Sequence, residues 1–181
     1  MTNYRRMRVE GGTYFFTVNL ANRQASTLID HIDLLRDTTR TVLSNRPVTI
    51  DAMVILPDHL HAVWTLPKGD SDYSTRWKEI KTAFTKTLLQ RDPDIRRNPS
   101  ASQRNRGERG IWQRRFWEHT IRDVQDFEIC VSYCWFNPVR HGLVRCVRQW
   151  PYSSFHRDVR RGIVSLDWAG TPVEGDFGEA A

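Results

Sequence analysis

His59, Leu60 and His61 open a run, His59 to Leu66, whose composition predicts a strand. On a strand, residues i and i+2 share a face, so both imidazoles point the same way, about 6–7 Å apart at the backbone. Two neutral imidazoles so placed can converge on one divalent metal. A His-x-His on a strand is more often a pair of surface histidines, so the motif alone is a weak signal. Tyr133 and Asn137 stand four apart in a helical stretch and therefore on one helix face. A tyrosine can serve as a nucleophile, and an asparagine offers a carbonyl oxygen to a hard cation. The competing reading is a half-buried Tyr133 and an Asn137 that stops the helix, because Pro138 pushes its predecessor out of helical geometry.

A third pattern interleaves arginine with aromatic rings. Trp112, Arg114, Arg115, Phe116 and Trp117 follow a loop bearing Arg104, Arg106 and Arg109. Arginine pairs with phosphate and stacks on bases, and Trp or Phe offers a stacking platform. The aromatics equally suit a core, with the arginines on its edge. Arg5, Arg6, Arg104, Arg106, Arg114 and Arg115 are the candidate phosphate contacts. The charge of the chain agrees: 27 Lys and Arg against 21 Asp and Glu leave +6 in 181 residues. That excess points to a polyanionic partner, nucleic acid ahead of membrane. No apolar run is long enough to span a bilayer, and no apolar stretch follows the basic N-terminus as in a secretory signal. Three cysteines without metal-site spacing, Cys130, Cys134 and Cys146, suit a reducing cytoplasm better than a disulfide scaffold. No GxxxxGK[ST] phosphate loop is present.

These residues need elements to hold them. Gly12 to Leu20 predicts a strand by its β-branched and aromatic content. Thr27 to Ser44 carries one apolar stripe at three- and four-residue steps and predicts a helix. Val48 to Leu56 alternates, with Val48, Ile50, Ala52 and Val54 on one side, and pairs with the next strand through the Pro57-Asp58 turn. Ser74 to Gln90 predicts a second helix, 92–110 a long loop, and 111–122 one or two strands. Asp123 caps a helix that reaches Asn137-Pro138. A short helix spans Trp150 to Arg161. The order βαββαβ predicts an α+β, two-layer, ferredoxin-like sandwich: an antiparallel sheet with helices on one face. One domain, residues 1–162, precedes an acidic, Gly-rich tail, residues 163–181, expected to be mobile.

In combination, His59-x-His61, a helical Tyr133 and a basic chain resemble the HUH single-tyrosine nucleases and transposases. Gly11 to Leu20, Leu56 to Pro67, Arg114 to His119, Asn137 to Val144 and Trp150 to Phe155 together resemble the REP-associated tyrosine transposases. The resemblance runs from about Asn3 to Trp168. It implies His59 and His61 as the metal-binding pair, Tyr133 as the catalytic tyrosine and Asn137 at the position of a third ligand, with Mg²⁺ or Mn²⁺ as the metal. It implies a bacterial enzyme that cuts and joins single-stranded DNA folded into hairpins, the repetitive extragenic palindromes, through a 5′-phosphotyrosine. A monomer is expected over a dimer with exchanged tyrosine helices. The alternative is a nucleic-acid-binding regulator without catalysis, which has no need of His59, His61, Tyr133 and Asn137 together.

Overall fold

Tyr14, Phe15, Phe16 and Val18 are all wholly buried although their side chains alternate in direction, so the strand that carries them has packed material on both faces. The computed structural model describes residues 7–95, 99, 101–170 and 175–179. That strand, β1 (Thr13–Asn19), is followed by α1 (Thr27–Asp30), α2 (Ile32–Asn45), β2 (Thr49–Ile55), β3 (His59–Thr65) and α3 (Tyr73–Arg91). A short α4 (Ala101–Asn105) lies in the expected loop, before β4 (Trp117–Thr120), α5 (Val124–Arg140), a 3-10 turn at Val147–Gln149 and α6 (Phe155–Arg160). The four strands form one sheet in the order β2-β3-β1-β4, every neighbouring pair antiparallel. With the βαββαβ succession, that is the ferredoxin-like arrangement.

One face of the sheet presents Tyr14, Phe16, Val18, Leu60, Ala62 and Trp64 to α2 and α3. Trp64 stacks on Trp77 of α3 with ring centroids 4.1 Å apart. The opposite face presents Phe15, Val63, Ala52 and Val54 to Cys130, Val131 and Cys134 of α5 and Phe155 of α6. The two helices of the βαββαβ unit thus share one face as expected, and α5 adds a layer on the other. No periodicity in α5 specifies which face it takes, because an apolar stripe records burial and not its partner.

Three local features differ from the sequence pattern. The expected first helix breaks at His31 into α1 and α2. Register slips between Ile50 and Ala52, so Asp51 is a bulge residue. It turns Ile50 toward α2 and α3 but Ala52 and Val54 toward α5, and the single-sided alternation of Val48 to Val54 is lost. Finally, α5 passes through Pro138 to Arg140. Pro138 gives no N–H to the helix, but the last carbonyls are taken from beyond the end. His141 N–H donates to Asn137 (3.0 Å), Gly142 to Val139 (2.9 Å) and Leu143 to Pro138 (2.9 Å). Gly142, at φ +67°, closes this Schellman motif. The other end is capped as expected, the Asp123 carboxylate accepting from Asp126 N–H at 2.8 Å. No described helix is long and apolar enough to cross a membrane, and the three cysteines are free thiols.

Candidate active site

β3 alternates its side chains across the sheet, with Leu60 in the α2/α3 core and His59 and His61 on the α5 side. Both imidazoles are buried, 5.0 Å apart between ring centroids. Tyr133 and Asn137, one turn apart on α5, descend onto the same spot. The Tyr133 ring lies 5.2 Å from His61. Because α5 stays helical through Pro138, Asn137 keeps the face of Tyr133. The structure therefore brings His59, His61, Tyr133 and Asn137 together within one chain.

Each imidazole is oriented through its far nitrogen. His59 Nδ1 lies 2.8 Å from Asp58 Oδ1, and Asp58 is itself paired to Arg23 at 3.0 Å. His61 Nδ1 lies 2.8 Å from Thr17 Oγ1. The Thr17 hydroxyl donates to the Phe177 carbonyl at 2.5 Å, which leaves its lone pair to accept the His61 Nδ1–H. With both Nδ1 atoms protonated, both Nε2 lone pairs face inward.

What they face is a carboxylate from the acidic tail. Glu179 Oε1 lies 2.7 Å from His61 Nε2 and 3.5 Å from His59 Nε2, and accepts from Asn137 Nδ2 at 2.6 Å. Its other oxygen, Oε2, is 3.3 Å from His141 Nε2 and 4.0 Å from Arg140 Nε. Two residues earlier, the Phe177 ring stacks on Tyr133 at 3.6 Å, with planes 13° apart. Gly178 is required between them. Its φ is +69°, and a Cβ there would stand 2.3 Å from Trp117 Cγ. Sequence reading missed Asp58, Thr17, His141, Phe177 and Glu179. Asp58 had a signal, lying directly before the histidine pair; an aromatic beside glycine in an acidic tail was a fainter one.

The electrostatics follow from this packing. Burial works against a charge on His59, but the Asp58 and Glu179 carboxylates outweigh it and raise its pKa. His61, wholly buried and beside other imidazoles, is pushed down to about 4. Burial and the hydrogen bond to Glu179 push the Tyr133 phenol far above its usual range. Burial raises the Glu179 carboxyl, but the His141, His59 and His61 imidazoles gathered around it override burial and hold the group far below the carboxylate range.

The donor set suits a divalent cation. His59 Nε2 and Asn137 Oδ1 are buried with no hydrogen-bond partner among the described residues. Two imidazole lone pairs also face a carboxylate oxygen, an arrangement that repels unless a proton or a cation lies between. Imidazole nitrogen with amide or carboxylate oxygen is the ligand mixture borderline and hard divalent ions accept. His59, His141 and Glu179 also present ligand atoms within 4.8 Å of one another.

The expected phosphate contacts lie elsewhere. Arg5 and Arg6 fall outside the described residues. Arg104 donates to the Pro99 carbonyl at 2.6 Å, and Arg106 and Arg114 both approach Glu108, at 3.1 and 3.7 Å. Arg114 lines a cavity against α3, on the side of the sheet away from Tyr133. Arg115 is exposed beside it.

A ferredoxin-like sheet that offers a His-x-His pair to a helical tyrosine agrees with the resemblance to the single-tyrosine nucleases and transposases. No protein-family model matches the chain. The REP-associated tyrosine transposase of Escherichia coli is 45% identical over 179 residues, 99% of this chain and 98% of that protein. A Haemophilus influenzae protein provisionally given the same description is 44% identical over 180 residues, 98% of this chain and 100% of its own. The solved structure of a REP-associated tyrosine transposase bound to a REP hairpin superimposes with a TM-score of 0.85 at 44% identity, covering 100% of this chain and 99% of that one. The chain belongs to the REP-associated tyrosine transposases.

Proposed function

We propose that this enzyme cuts and rejoins single-stranded DNA beside hairpins of the repetitive extragenic palindrome type, with Tyr133 as the nucleophile. The Tyr133 oxygen attacks the scissile phosphorus in line, the P–O3′ bond breaks, and the 3′-oxygen leaves as a hydroxyl after gaining a proton. The product is a 5′-phosphotyrosine, whose ester bond keeps the energy that a second 3′-hydroxyl needs to reverse the step. His59, His61 and Asn137 are the residues that would hold Mg²⁺ or Mn²⁺. Such an ion, when bound, polarises a phosphoryl oxygen and fixes the phosphate at the attack angle. Asp58 and Thr17 hold the imidazoles with their lone pairs inward.

The supporting observation is the convergence of Tyr133, Asn137 and two inward-facing imidazoles on one point. All four belong to one chain, which favours a monomer over an exchange of tyrosine helices. In the geometry described, Phe177 covers the tyrosine ring and Glu179 occupies the anion position. The tail must therefore withdraw before a phosphate enters, and its withdrawal removes a carboxylate that keeps the phenol protonated. Arg114 and Arg115 are proposed to hold phosphates of the bound strand, with Arg5, Arg6, Arg104 and Arg106 as further contacts.

Incubation with Mn²⁺ or Mg²⁺ and a single-stranded palindrome oligonucleotide, followed by a denaturing gel, tests the reading. A covalent protein–DNA band is expected with wild type and not with Tyr133→Phe, which keeps hairpin binding. A band that survives in Tyr133→Phe removes the tyrosine from the role. Binding without a band in wild type leaves a DNA-binding regulator.

A further inference from the structure

His141 follows Asn137 by one helical turn, so Tyr133, Asn137 and His141 form a single row down α5. His141 is the C-cap of that helix, and it caps through its backbone: its N–H donates to the Asn137 carbonyl at 3.0 Å. Any residue supplies that bond, so the cap does not explain an imidazole at this position. The ring stands edge-on to His59, with centroids 5.1 Å apart. Its Nε2 lies 3.3 Å from Glu179 Oε2, while Glu179 Oε1 lies 2.7 Å from His61 Nε2 and 3.5 Å from His59 Nε2. Three imidazole nitrogens therefore ring one carboxylate. Among the described residues the His141 ring has no other hydrogen-bond or ion-pair partner. Unlike the other two it is not buried: its side chain is 33% exposed and lines a cavity of about 320 Å³ with Arg23, Asp58 and His59. The ring is therefore free to turn within that space.

The carboxylate marks a place that all three nitrogens reach. His59 Nε2 and Asn137 Oδ1, buried without hydrogen-bond partners among the described residues, belong to the same cluster. His59, His141 and Glu179 already hold ligand atoms within 4.8 Å of one another, a spread that rotation of one exposed ring can close onto a single ion. The geometry points to His141 as a further protein ligand of the divalent ion, completing a centre of three imidazole nitrogens and one amide oxygen once the tail carboxylate has withdrawn. The inference rests on the metal-assisted cleavage proposed above and adds the choice of ion. Mg²⁺ takes oxygen ligands and sheds its water reluctantly, whereas first-row ions accept imidazole. A third nitrogen therefore makes this a site for a first-row divalent ion, Mn²⁺ ahead of Mg²⁺. The competing role for His141 is to hold the tail, and the two roles differ in sign. Removing a ligand weakens metal binding; removing a tail anchor clears the site and strengthens it.

The test titrates Mn²⁺ and, separately, Mg²⁺ into the chelator-treated full-length protein by calorimetry. The proteins are wild type, Glu179→Gln, His141→Gln, the pair Glu179→Gln/His141→Gln, and His59→Ala. In the Glu179→Gln background no tail carboxylate competes. There, His141→Gln is expected to weaken Mn²⁺ by at least the 10- to 100-fold that loss of a residue supporting a ligand costs, and Mg²⁺ by much less. Pulsed EPR of Mn²⁺ bound to Glu179→Gln, which needs no change at His141, is expected to show coupling to three imidazole nitrogens, and to two in the paired variant. Coupling to two nitrogens in Glu179→Gln overturns the inference. So does equal Mn²⁺ affinity with and without His141, or tighter binding in His141→Gln, which would make the residue a tail anchor. His59→Ala separates the two failures. Mn²⁺ binding lost there but kept in His141→Gln removes His141 and leaves the metal reading standing. Mn²⁺ binding lost in both, with no covalent DNA band from wild type, establishes the centre and fells the cleavage reading.

Discussion

Replacing Phe177 by alanine should uncover Tyr133, the proposed nucleophile. The Phe177 ring is 8% exposed, stacked on Tyr133 and edge-on to Phe15 at 5.6 Å. Removing a buried phenylalanine from such a place forfeits about 1.5–3 kcal/mol of burial and about 0.5–1.5 kcal/mol of ring pairing, roughly 2–4 kcal/mol together. With the tail treated as a strap in equilibrium between docked and released, that loss raises the released fraction by about 30- to 1,000-fold while the docked form still dominates. Single-turnover formation of the covalent band, with hairpin oligonucleotide and divalent metal in excess, should accelerate by the same factor, up to the point where release no longer limits. Gly178→Ala supplies an independent check. Its new Cβ meets Trp117 at 2.3 Å, so it expels the strap without touching the tyrosine. Equal rates for wild type and both variants would refute the reasoning, because the strap would then exert no control over access. A slower rate in Phe177→Ala alone would do so as well, by making the ring part of the working site.

Further outcomes follow from the same geometry. Asp58→Asn should weaken Mn²⁺ binding about 10- to 100-fold by titration calorimetry, since the carboxylate that fixes the His59 tautomer is lost; unchanged affinity would mean His59 is not a ligand. Arg76 is buried and donates to Asp70 at 2.6 Å as well as to the carbonyls of Arg46, Pro47 and Asp72. Its guanidinium beside Asp70 holds that carboxyl below the ordinary 3.8. In the window between the lowered folded value and 3.8 the unfolded chain binds more protons than the folded one, so Asp70 stabilises above about pH 4 and the contribution fades as pH falls. Denaturation of Asp70→Asn should accordingly show a flatter decline of stability from pH 4 toward pH 2 than wild type, and parallel curves would remove the pair from the acid response.

The parts of the site legible in the sequence were those written at short range. His59-x-His61 announced its shared face through the two-residue period, and Tyr133 and Asn137 through the four-residue one. Asp123 announced the start of α5 by its side chain. What stayed hidden depended on distance or on a single irregularity. Glu179 meets His61 across 118 residues, and nothing in a short acidic run says which cavity it enters. The Asp51 bulge turned an apparently one-sided strand into one that serves both faces. Pro138 suggested a stop, but the helix end is set four residues later by Gly142, because carbonyls satisfied from beyond the terminus matter more than one missing donor.

The alternation along β3 leaves no room for error in strand pairing. The strand is central and covered on both sides, so a slip of one position would drive two imidazoles into the oil around Trp64 and Trp77 and turn Leu60 toward the charged cluster. A mispaired molecule would bury two polar rings without partners and would not persist beside the correct one. The bulge at Asp51, whose carboxylate accepts from the Thr65 hydroxyl at 2.7 Å, pins β2 against β3 at the end remote from the histidines. Folding itself thus acts as quality control for the site: a chain stable enough to survive is one whose histidine-bearing face already looks toward α5.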